Sequence, residues 1–414
     1  MNMKTEPGSA AEQAGPRTRM LVIATLGFAV TFWAWALISP LAPSLATKLG
    51  LSSFQQSLIV AVPVIVGSLG RIPIGALTDR FGGRLMLPIV SVATIVPVLF
   101  LPFFGDQSLA TLLIGGFFLG IGGTSFAVGV PFVSAWFPPE RRGLAIGIFG
   151  VGMVGTAISA FTTVRLVEFG SSATPFLVTA AALAIYAVVA WLLLRDAPGQ
   201  VRPTTSMAKR VGETLKLGVT WQAAALYATL FGGYVAFSVY LPSLLKAEYD
   251  LSIGDASNRM AGFVILAVIM RPVGGFLSDK IGPVPVLATC LGAVVFGALI
   301  DATSPALFPI ATIAYLVMAA GLGAGSGATF ALVALLSPAG KVGSVTGVVG
   351  AAGGLGGFVP PLLMGVVYGA TGSYTIGFLL LALVAAAVLV FTLTSIRSVL
   401  AKRDAVEVQR EVAA

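Results

Sequence analysis

The segment Arg71-Ile-Pro-Ile-Gly-Ala-Leu-Thr-Asp-Arg-Phe-Gly82 recurs 200 residues later as Arg271-Pro-Val-Gly-Gly-Phe-Leu-Ser-Asp-Lys-Ile-Gly282. The two copies align an arginine, an aspartate, a second basic residue and two glycines, which a chance match between apolar segments does not do. Three glycines within 143–150 recur within 343–350 at the same spacing. The sequence therefore predicts two related halves.

The composition indicates an integral membrane protein. Of the 414 residues, 57% are hydrophobic and 10% are charged, whereas soluble domains carry about 25% charged residues. The chain has 50 glycines, which are common where membrane helices pack closely. One cysteine and no histidine exclude an internal disulfide, a cysteine metal cluster and histidine-dependent catalysis. The basic residues form no stripe interleaved with aromatics, so we expect no nucleic-acid binding.

Twelve apolar stretches are long enough to cross a bilayer, which takes about 20 residues in a helix. The predicted spans are 20–45, 54–77, 85–104, 108–136, 143–166 and 173–194, then 219–246, 258–278, 284–301, 305–336, 343–369 and 374–396. The predicted organisation is a disordered tail (1–16), an N-terminal six-helix half (17–194), a linker (195–218), a C-terminal six-helix half (219–397) and a second tail (398–414). Tandem halves of this kind build transporters with a substrate site near the midplane.

The lysines and arginines predict the orientation. Eighteen of the 24 fall on the side of the two termini and the linker, and four fall on the other side. Cytoplasmic loops carry the excess of positive charge. We therefore expect a multi-pass protein of the cell inner membrane with both termini in the cytoplasm.

The two remaining basic residues, Arg71 and Arg271, lie within spans at equivalent positions of the repeat. A central arginine costs at least about 2.5–3.5 kcal/mol on insertion scales, and it stays cationic. We place no acidic residue inside a span, and we assign Asp301 to an outer loop. The expected counter-ion is therefore an anionic substrate, and a planar oxyanion suits the guanidinium fork. The alternative is that each arginine bonds only to backbone carbonyls.

Two uncompensated cations also favour exchange. An empty carrier would have to change conformation with both charges unpaired, whereas an occupied carrier would not. The lack of acids and histidine in the spans argues against an internal proton relay. Co-transport through water or through tyrosine and serine groups stays open.

The segment Gly75-x-x-x-Asp79-Arg80-x-Gly-x-Arg84 resembles the loop between helices two and three of the major facilitator superfamily. A weaker copy in the second half contains Asp279 and Lys280. Such a loop can latch one conformational state if its aspartate accepts from a helix N-terminus and its arginines pair with acids across the gap. The alternative is that these charges only fix the topology.

Further segments are similar to the nitrate/nitrite porter family of that superfamily. They are Phe32-Trp-Ala-Trp-Ala-Leu-Ile-Ser-Pro-Leu-Ala-Pro43, Gly122-Gly-Thr-Ser-Phe126, Leu226-Tyr-Ala-Thr-Leu-Phe-Gly232 and Gly353-Gly-Leu-Gly-Gly-Phe358. The resemblance implies that the two arginines clamp nitrate or nitrite. It also implies aromatic neighbours for the anion: Phe126 and Phe330 as a sandwich, Tyr227 as a hydrogen-bonding group, and Phe231 and Phe32 as cavity lining.

The glycine-rich motif of helix five, Gly147-Ile-Phe-Gly-Val-Gly-Met-Val-Gly-Thr156, lacks the asparagine of many family members. Thr156 or Ser159 is the candidate replacement. This version of the motif resembles the subgroup described as nitrate/nitrite exchangers. The glycines of helices five and eleven are interpreted as close-packing surfaces along which the halves rock: Gly147, Gly150, Gly152, Gly347, Gly350 and Gly354.

The leading hypothesis is nitrate/nitrite exchange by a protein that is functional as a monomer in the lipid bilayer, without a cofactor. The alternatives are proton-coupled nitrate import and a carrier of another small organic anion on the same fold. The organic-anion carrier would require a larger and more polar cavity. An anion channel or a membrane sensor would be a different functional class, and a sensor would require an appended soluble domain. ATP-driven transport is excluded on this chain because it has no Gly-x-x-x-x-Gly-Lys-Ser/Thr motif. A membrane enzyme would need paired acids, histidine or a metal site within the spans.

Overall fold

A computed structural model describes residues 14–198, 207–338 and 342–400, and these ranges fold entirely into helices and connecting turns. Twelve helices are long and apolar enough to cross a membrane, as predicted. In the first half they are α1 Gly15–Leu49, α2 Ser53–Gly75, α3 Gly83–Phe104, α4 Leu109–Trp136, α5 Ala145–Phe169 and α6 Thr174–Leu193. In the second half they are α7 Gly218–Tyr249, α8 Ile253–Ile281, α9 Pro283–Asp301, α10 Leu307–Leu336, α11 Ser344–Thr371 and α12 Thr375–Leu400.

The ends of the described ranges extend the predicted halves slightly. The first helix already begins at Ala14, inside the segment predicted as a tail, and α12 continues to Leu400. A short helix, Met207–Thr214, lies in the linker. Residues 1–13 and 401–414, which include most of both predicted tails, lie outside the described residues.

The sequence repeat builds the same turn twice. Gly82 has φ 85° and ψ 155°, and Gly282 has φ 84° and ψ 154°. Each glycine ends one helix and precedes the next, and its N–H donates to the carbonyl of Thr78 or Ser278 respectively. Residues with a Cβ rarely adopt this positive φ. The recurrence of glycine at positions 82 and 282 therefore follows from backbone geometry.

Glycines let α4 and α5 approach α1 in the first half. A Cβ at Gly122 would lie 2.8 Å from the Thr31 carbonyl oxygen, and a Cβ at Gly155 would lie 2.7 Å from the Trp33 nitrogen. Both helices tighten to 3-10 geometry next to these contacts, at Gly120–Thr124 and Val151–Val154. Close backbone approach of this kind is how membrane helices gain packing energy without a hydrophobic driving force.

We call the membrane side where α1 begins the terminus side, and the other the opposite side. Hydrogen bonds join the halves at two places near the opposite side. There, Ser39 donates to the Val239 carbonyl, and Arg165 donates to Asn258 Oδ1 at 2.8 Å. Gly365 of α11 packs directly on Ser57 of α2. The halves are therefore held together on the opposite side.

The prediction that Asp301 lies in an outer loop is wrong. Asp301 is the last residue of α9 and is only 3% exposed. Neither carboxylate oxygen has a hydrogen-bond partner among the described residues. The carboxyl group is covered because α9 packs against α10 and α12, and this covering is not visible in the local sequence.

Candidate functional site

Arg71 lies at a break in the second helix, where Gly70 separates the segments Ser53–Leu69 and Arg71–Phe81. Its half-buried guanidinium donates from Nη1 to the Gly350 carbonyl at 2.8 Å and from Nε to the Gly123 carbonyl at 3.3 Å. Gly350 belongs to the other half of the protein. In this conformation Arg71 thus makes the backbone-carbonyl contacts that the sequence analysis left open as an alternative.

Arg271 is held differently. Its Nη2 donates to the Tyr227 hydroxyl at 2.6 Å, and its Nη1 donates to Met153 Sδ at 2.7 Å. Met153 lies on α5 of the other half, and a Cβ at Gly150 would lie 4.0 Å from Arg271 Nε. A thioether is a weak acceptor. Both arginines therefore reach across the interface between the halves, toward positions 150 and 350 of the sequence repeat.

Aromatic rings flank both guanidinium groups. Arg71 Cζ lies 5.2 Å from the centre of the Phe126 ring, and Arg271 Cζ lies 5.8 Å from the centre of the Phe330 ring. Phe231 is 5.5 Å from Arg271 Cζ and stacks on Tyr227 with 4.6 Å between the ring centres. These cation–π contacts partly stabilise the cations, but they do not involve the donor N–H groups.

Phe32 is placed elsewhere. It is 2% exposed and packs edge-on against Phe28, with 4.3 Å between the ring centres. Its other aromatic neighbour is Trp35, at 5.1 Å. Phe28 in turn lies 5.7 Å from Phe126, so Phe32 supports the ring beside Arg71 through an intermediate side chain.

The described residues of the site carry positive charge without a compensating acid. The two guanidinium groups interact electrostatically with each other and with Tyr227. Arg259 forms an ion pair with Asp255 at the surface of α8. The acceptors around Arg71 and Arg271 are all neutral: two carbonyls, a hydroxyl and a thioether. Chemically, the arrangement can bind an anion between two cations from opposite halves.

The Major Facilitator Superfamily model matches residues 24–257 and 223–411. A probable nitrate/nitrite transporter, NarK2 of Mycobacterium tuberculosis, is 48% identical over 91% of this chain and 96% of that protein. A nitrite extrusion protein of Bacillus subtilis is 36% identical over 89% of this chain and 91% of that protein. This chain belongs to the nitrate/nitrite porter family of the Major Facilitator Superfamily. It is also 35% identical, over 88% of its length and 93% of that protein, to a probable nitrate transporter, NarT of Staphylococcus haemolyticus.

Solved structures agree on the fold of this Major Facilitator Superfamily member. A D-xylose–proton symporter has a TM-score of 0.72 at 17% identity, covering 91% of this chain and 97% of that chain. A bacterial homologue of the human lysosomal transporter Spinster, in an inward-facing and occupied conformation, has a TM-score of 0.69 at 19% identity, covering 92% and 97%.

The two candidate replacements for the family asparagine differ in their hydrogen-bond partners. Thr156 bonds the Met153 carbonyl at 3.0 Å and pairs with the Tyr234 hydroxyl of the other half at 3.3 Å. Ser159 instead pairs with Thr163 at 3.2 Å, one turn further along α5 of this porter. Sequence reasoning missed Met153 and Tyr234. Met153 lies inside the glycine-rich motif, whereas Tyr234 carries no signal beyond an apolar span.

The glycines singled out in α5 and α11 have different surroundings. Gly350 supplies the carbonyl that binds Arg71. A Cβ at Gly354 would lie 2.9 Å from Ser68 Cβ of the other half, and a Cβ at Gly152 would lie 2.8 Å from the Thr25 carbonyl oxygen of α1. At two further positions an added Cβ would meet no atom of another described segment within 4 Å: Gly147 and Gly347.

Two contacts of the loop motif that follows Gly75 in this porter are described. Arg80 lies over the Phe81 ring at 5.3 Å, and the backbone N–H of Arg84 donates to Asp196 Oδ1 at 3.0 Å. Asp196, which sequence reasoning missed, thus serves the N-terminus of α3. The side chain of Asp79 lies outside the described part of the structure. In the second copy, Asp279 and Lys280 are exposed, and the Lys280 ammonium lies 4.5 Å from the centre of the Phe276 ring.

Proposed function

We propose that this protein is a secondary transporter that exchanges nitrate and nitrite across the membrane by alternating access. The observation that carries the proposal is the pair Arg71 and Arg271, which are half-buried between the halves and donate to neutral acceptors among the described residues. The names of the related proteins support these two anions among small oxyanions.

A nitrate ion between the arginines would accept hydrogen bonds from both Nη1 groups. These groups now donate to the Gly350 carbonyl and to Met153 Sδ, each on the half opposite to its arginine. Charge-assisted bonds to an oxyanion are stronger than bonds to a neutral carbonyl or thioether. The anion would therefore replace two weak cross-half bonds by one bridging ion, flanked by the rings of Phe126 and Phe330.

The same geometry supports exchange rather than uniport. To change conformation empty, the protein would have to break both cross-half bonds and leave two mutually repelling cations with one neutral acceptor each, Gly123 for Arg71 and Tyr227 for Arg271. With an anion bound, the charges stay compensated while the halves move. The return step therefore also needs an anion, which makes nitrate and nitrite obligatory counter-substrates.

The distribution of lysine and arginine supports a cytoplasmic location for the terminus side. In that orientation the structure is closed toward the exterior, where the halves meet at Ser39–Val239 and Arg165–Asn258. We assign the protein to the inner membrane on this basis.

Reconstitution into liposomes tests the proposal. Vesicles loaded with nitrite or with gluconate would receive external nitrate, using wild type, Arg71→Lys, Arg271→Lys and, as a matched control on α8, Arg259→Lys. We expect uptake only with internal nitrite. We expect both site variants to lose about 10- to 100-fold, since a bond to a charged group contributes about 1.5–3 kcal/mol. Unchanged uptake in both site variants would contradict the arginine clamp.

Proton-coupled import is the second candidate, and Asp301 favours it. Its buried carboxyl group has no hydrogen-bond partner among the described residues, and it interacts electrostatically with Tyr249 and Tyr315. Such a group could carry a proton. Uptake into gluconate-loaded vesicles that follows an imposed pH gradient, and that is lost in Asp301→Asn, would favour this mechanism over exchange.

A further inference from the structure

A polar cavity lies between the halves on the opposite side, apart from the central site of Arg71 and Arg271. Its volume is about 670 Å³, and it is lined by α1 and α2 of the first half and by α7 and α11 of the second. Since a water molecule in the liquid occupies about 30 Å³, the cavity has room for a hydrated small ion. It lies beyond the Ser39–Val239 contact, on the side away from the terminus side.

Lys246 gives this cavity its positive charge. It is the one basic residue of the lining, and its half-buried side chain has no acidic partner within 4 Å among the described residues. Asp250 also contributes to the lining, but it is an exposed residue beyond the end of α7. An ammonium group binds small anions as a point charge with three donors.

Ser243 adds a hydroxyl group that lacks a partner. It precedes Lys246 by three residues on α7, so both side chains lie on the same face of the helix. Ser243 is 3% exposed, and its hydroxyl has no hydrogen-bond partner among the described residues. A buried hydroxyl without a partner costs about 1–3 kcal/mol. This cost disappears if a ligand in the cavity accepts the hydrogen bond.

The deeper wall of the cavity is also polar. Tyr240 lies one turn before Ser243 and is 5% exposed, and its hydroxyl lies 3.3 Å from the Tyr374 hydroxyl. Gln56 lines the cavity from the other half. The lining thus combines one cation with several hydroxyl and amide donors, which is the donor set that a small oxyanion needs.

We infer that this cavity is a second anion site, where a small monovalent oxyanion such as nitrate or nitrite binds before entering or after leaving the central site. The inference rests on the proposed function for its ligand class. A cation at the mouth of a cleft raises the local concentration of anions. The site would therefore lower the concentration at which anion on the opposite side is half-saturating, without acting on anion from the terminus side.

Transport kinetics from each side test this site in the full-length protein. Proteoliposomes with sidedness determined by protease cleavage of the tails would compare wild type, Lys246→Gln and Ser243→Ala. The matched control is Lys48→Gln, which removes an exposed lysine from the same membrane side. We expect Lys246→Gln to raise the KM for nitrate about fivefold from the opposite side only, with a smaller rise in Ser243→Ala. Equal KM values in Lys246→Gln and Lys48→Gln would overturn the inference while leaving nitrate/nitrite exchange intact.

A binding measurement separates this site from the central one. In the double variant Arg71→Lys/Arg271→Lys, nitrate should still raise the thermal unfolding temperature, and the added change Lys246→Gln should abolish that rise. This readout does not depend on transport, so it holds even if wild type fails to exchange the two anions. A cavity filled by water only would give no nitrate-dependent shift in the double variant, and this result would refute the site.

Discussion

Replacing Gly365 by alanine should loosen the closure of the halves on the opposite side. Gly365 of α11 faces α2 of the other half, and an added Cβ would overlap Ser57 Oγ and lie 2.7 Å from the Ser53 carbonyl oxygen. The serine hydroxyl can rotate away, but the carbonyl belongs to the helix backbone. Relief therefore requires α11 and α2 to separate.

The chain provides a matched control one turn away. Gly369 lies on the same helix and also faces Ser53. An added Cβ there would lie 3.7 Å from Ser53 Cβ, which is ordinary van der Waals contact. Both variants replace glycine by alanine in the same helix, and only Gly365→Ala creates this overlap. Overpacking of this kind costs about 1–3 kcal/mol. If separation of the halves relieves that strain, the separated population rises about 5- to 150-fold.

Cysteine accessibility would measure that population. The reporter is Ser39→Cys, because Ser39 is 2% exposed and lies at the contact with α7. The background is Cys290→Ala, which removes the single native cysteine. A membrane-impermeant maleimide added from the opposite side should label Gly365→Ala about 5- to 150-fold faster than the parent, and Gly369→Ala within about twofold. Equal labelling of both variants would refute the assigned contact between Gly365 and α2. Labelling of Gly365→Ala that is slower than that of the parent would mean that this contact belongs to the conformation in which the halves are separated on the opposite side.

Three further predictions concern single contacts. Tyr227→Phe removes the hydroxyl that accepts from Arg271 at 2.6 Å, so the KM for nitrate in the vesicle assay should rise about tenfold; no change would mean that water replaces the hydroxyl fully. Met153→Leu keeps the side-chain volume but removes the thioether that accepts from Arg271 in the empty protein. Because the empty protein loses this bond, the KM for nitrate should fall about two- to fivefold. A rise in KM would instead mean that the sulfur contacts the bound anion. Asp196→Ala removes the acceptor at the N-terminus of α3 and should lower the free energy of unfolding by about 1 kcal/mol. The measurement is thermal unfolding, with Asp196→Asn as a near-neutral control, and equal loss in both variants would contradict a capping role.

The twelve spans and their pairing into halves were predictable because their causes are local. A helix that crosses a bilayer needs about 20 apolar residues, and the chain shows that length directly. The prediction of 284–301 and 305–336 as separate spans agrees with α9 and α10, which are Pro283–Asp301 and Leu307–Leu336. The positions of Arg71 and Arg271 were equally visible, because a charge inside an apolar span needs no tertiary information to be recognised.

The partners of those charges were decided by the tertiary structure. Gly350 and Met153 lie 279 and 118 residues away in sequence from the arginines that they contact. Helices that are apolar on every face carry no periodic signal of which face meets which neighbour, so the sequence marks the two glycine-rich motifs but not the arginine that each one meets. The burial of Asp301 could not be predicted from the sequence for the same reason. Of the two helices that cover it, α12 is distant in sequence and α10 begins only after a turn. Sequence determined which groups must lie in the membrane, and packing between distant helices determined what each of them meets there.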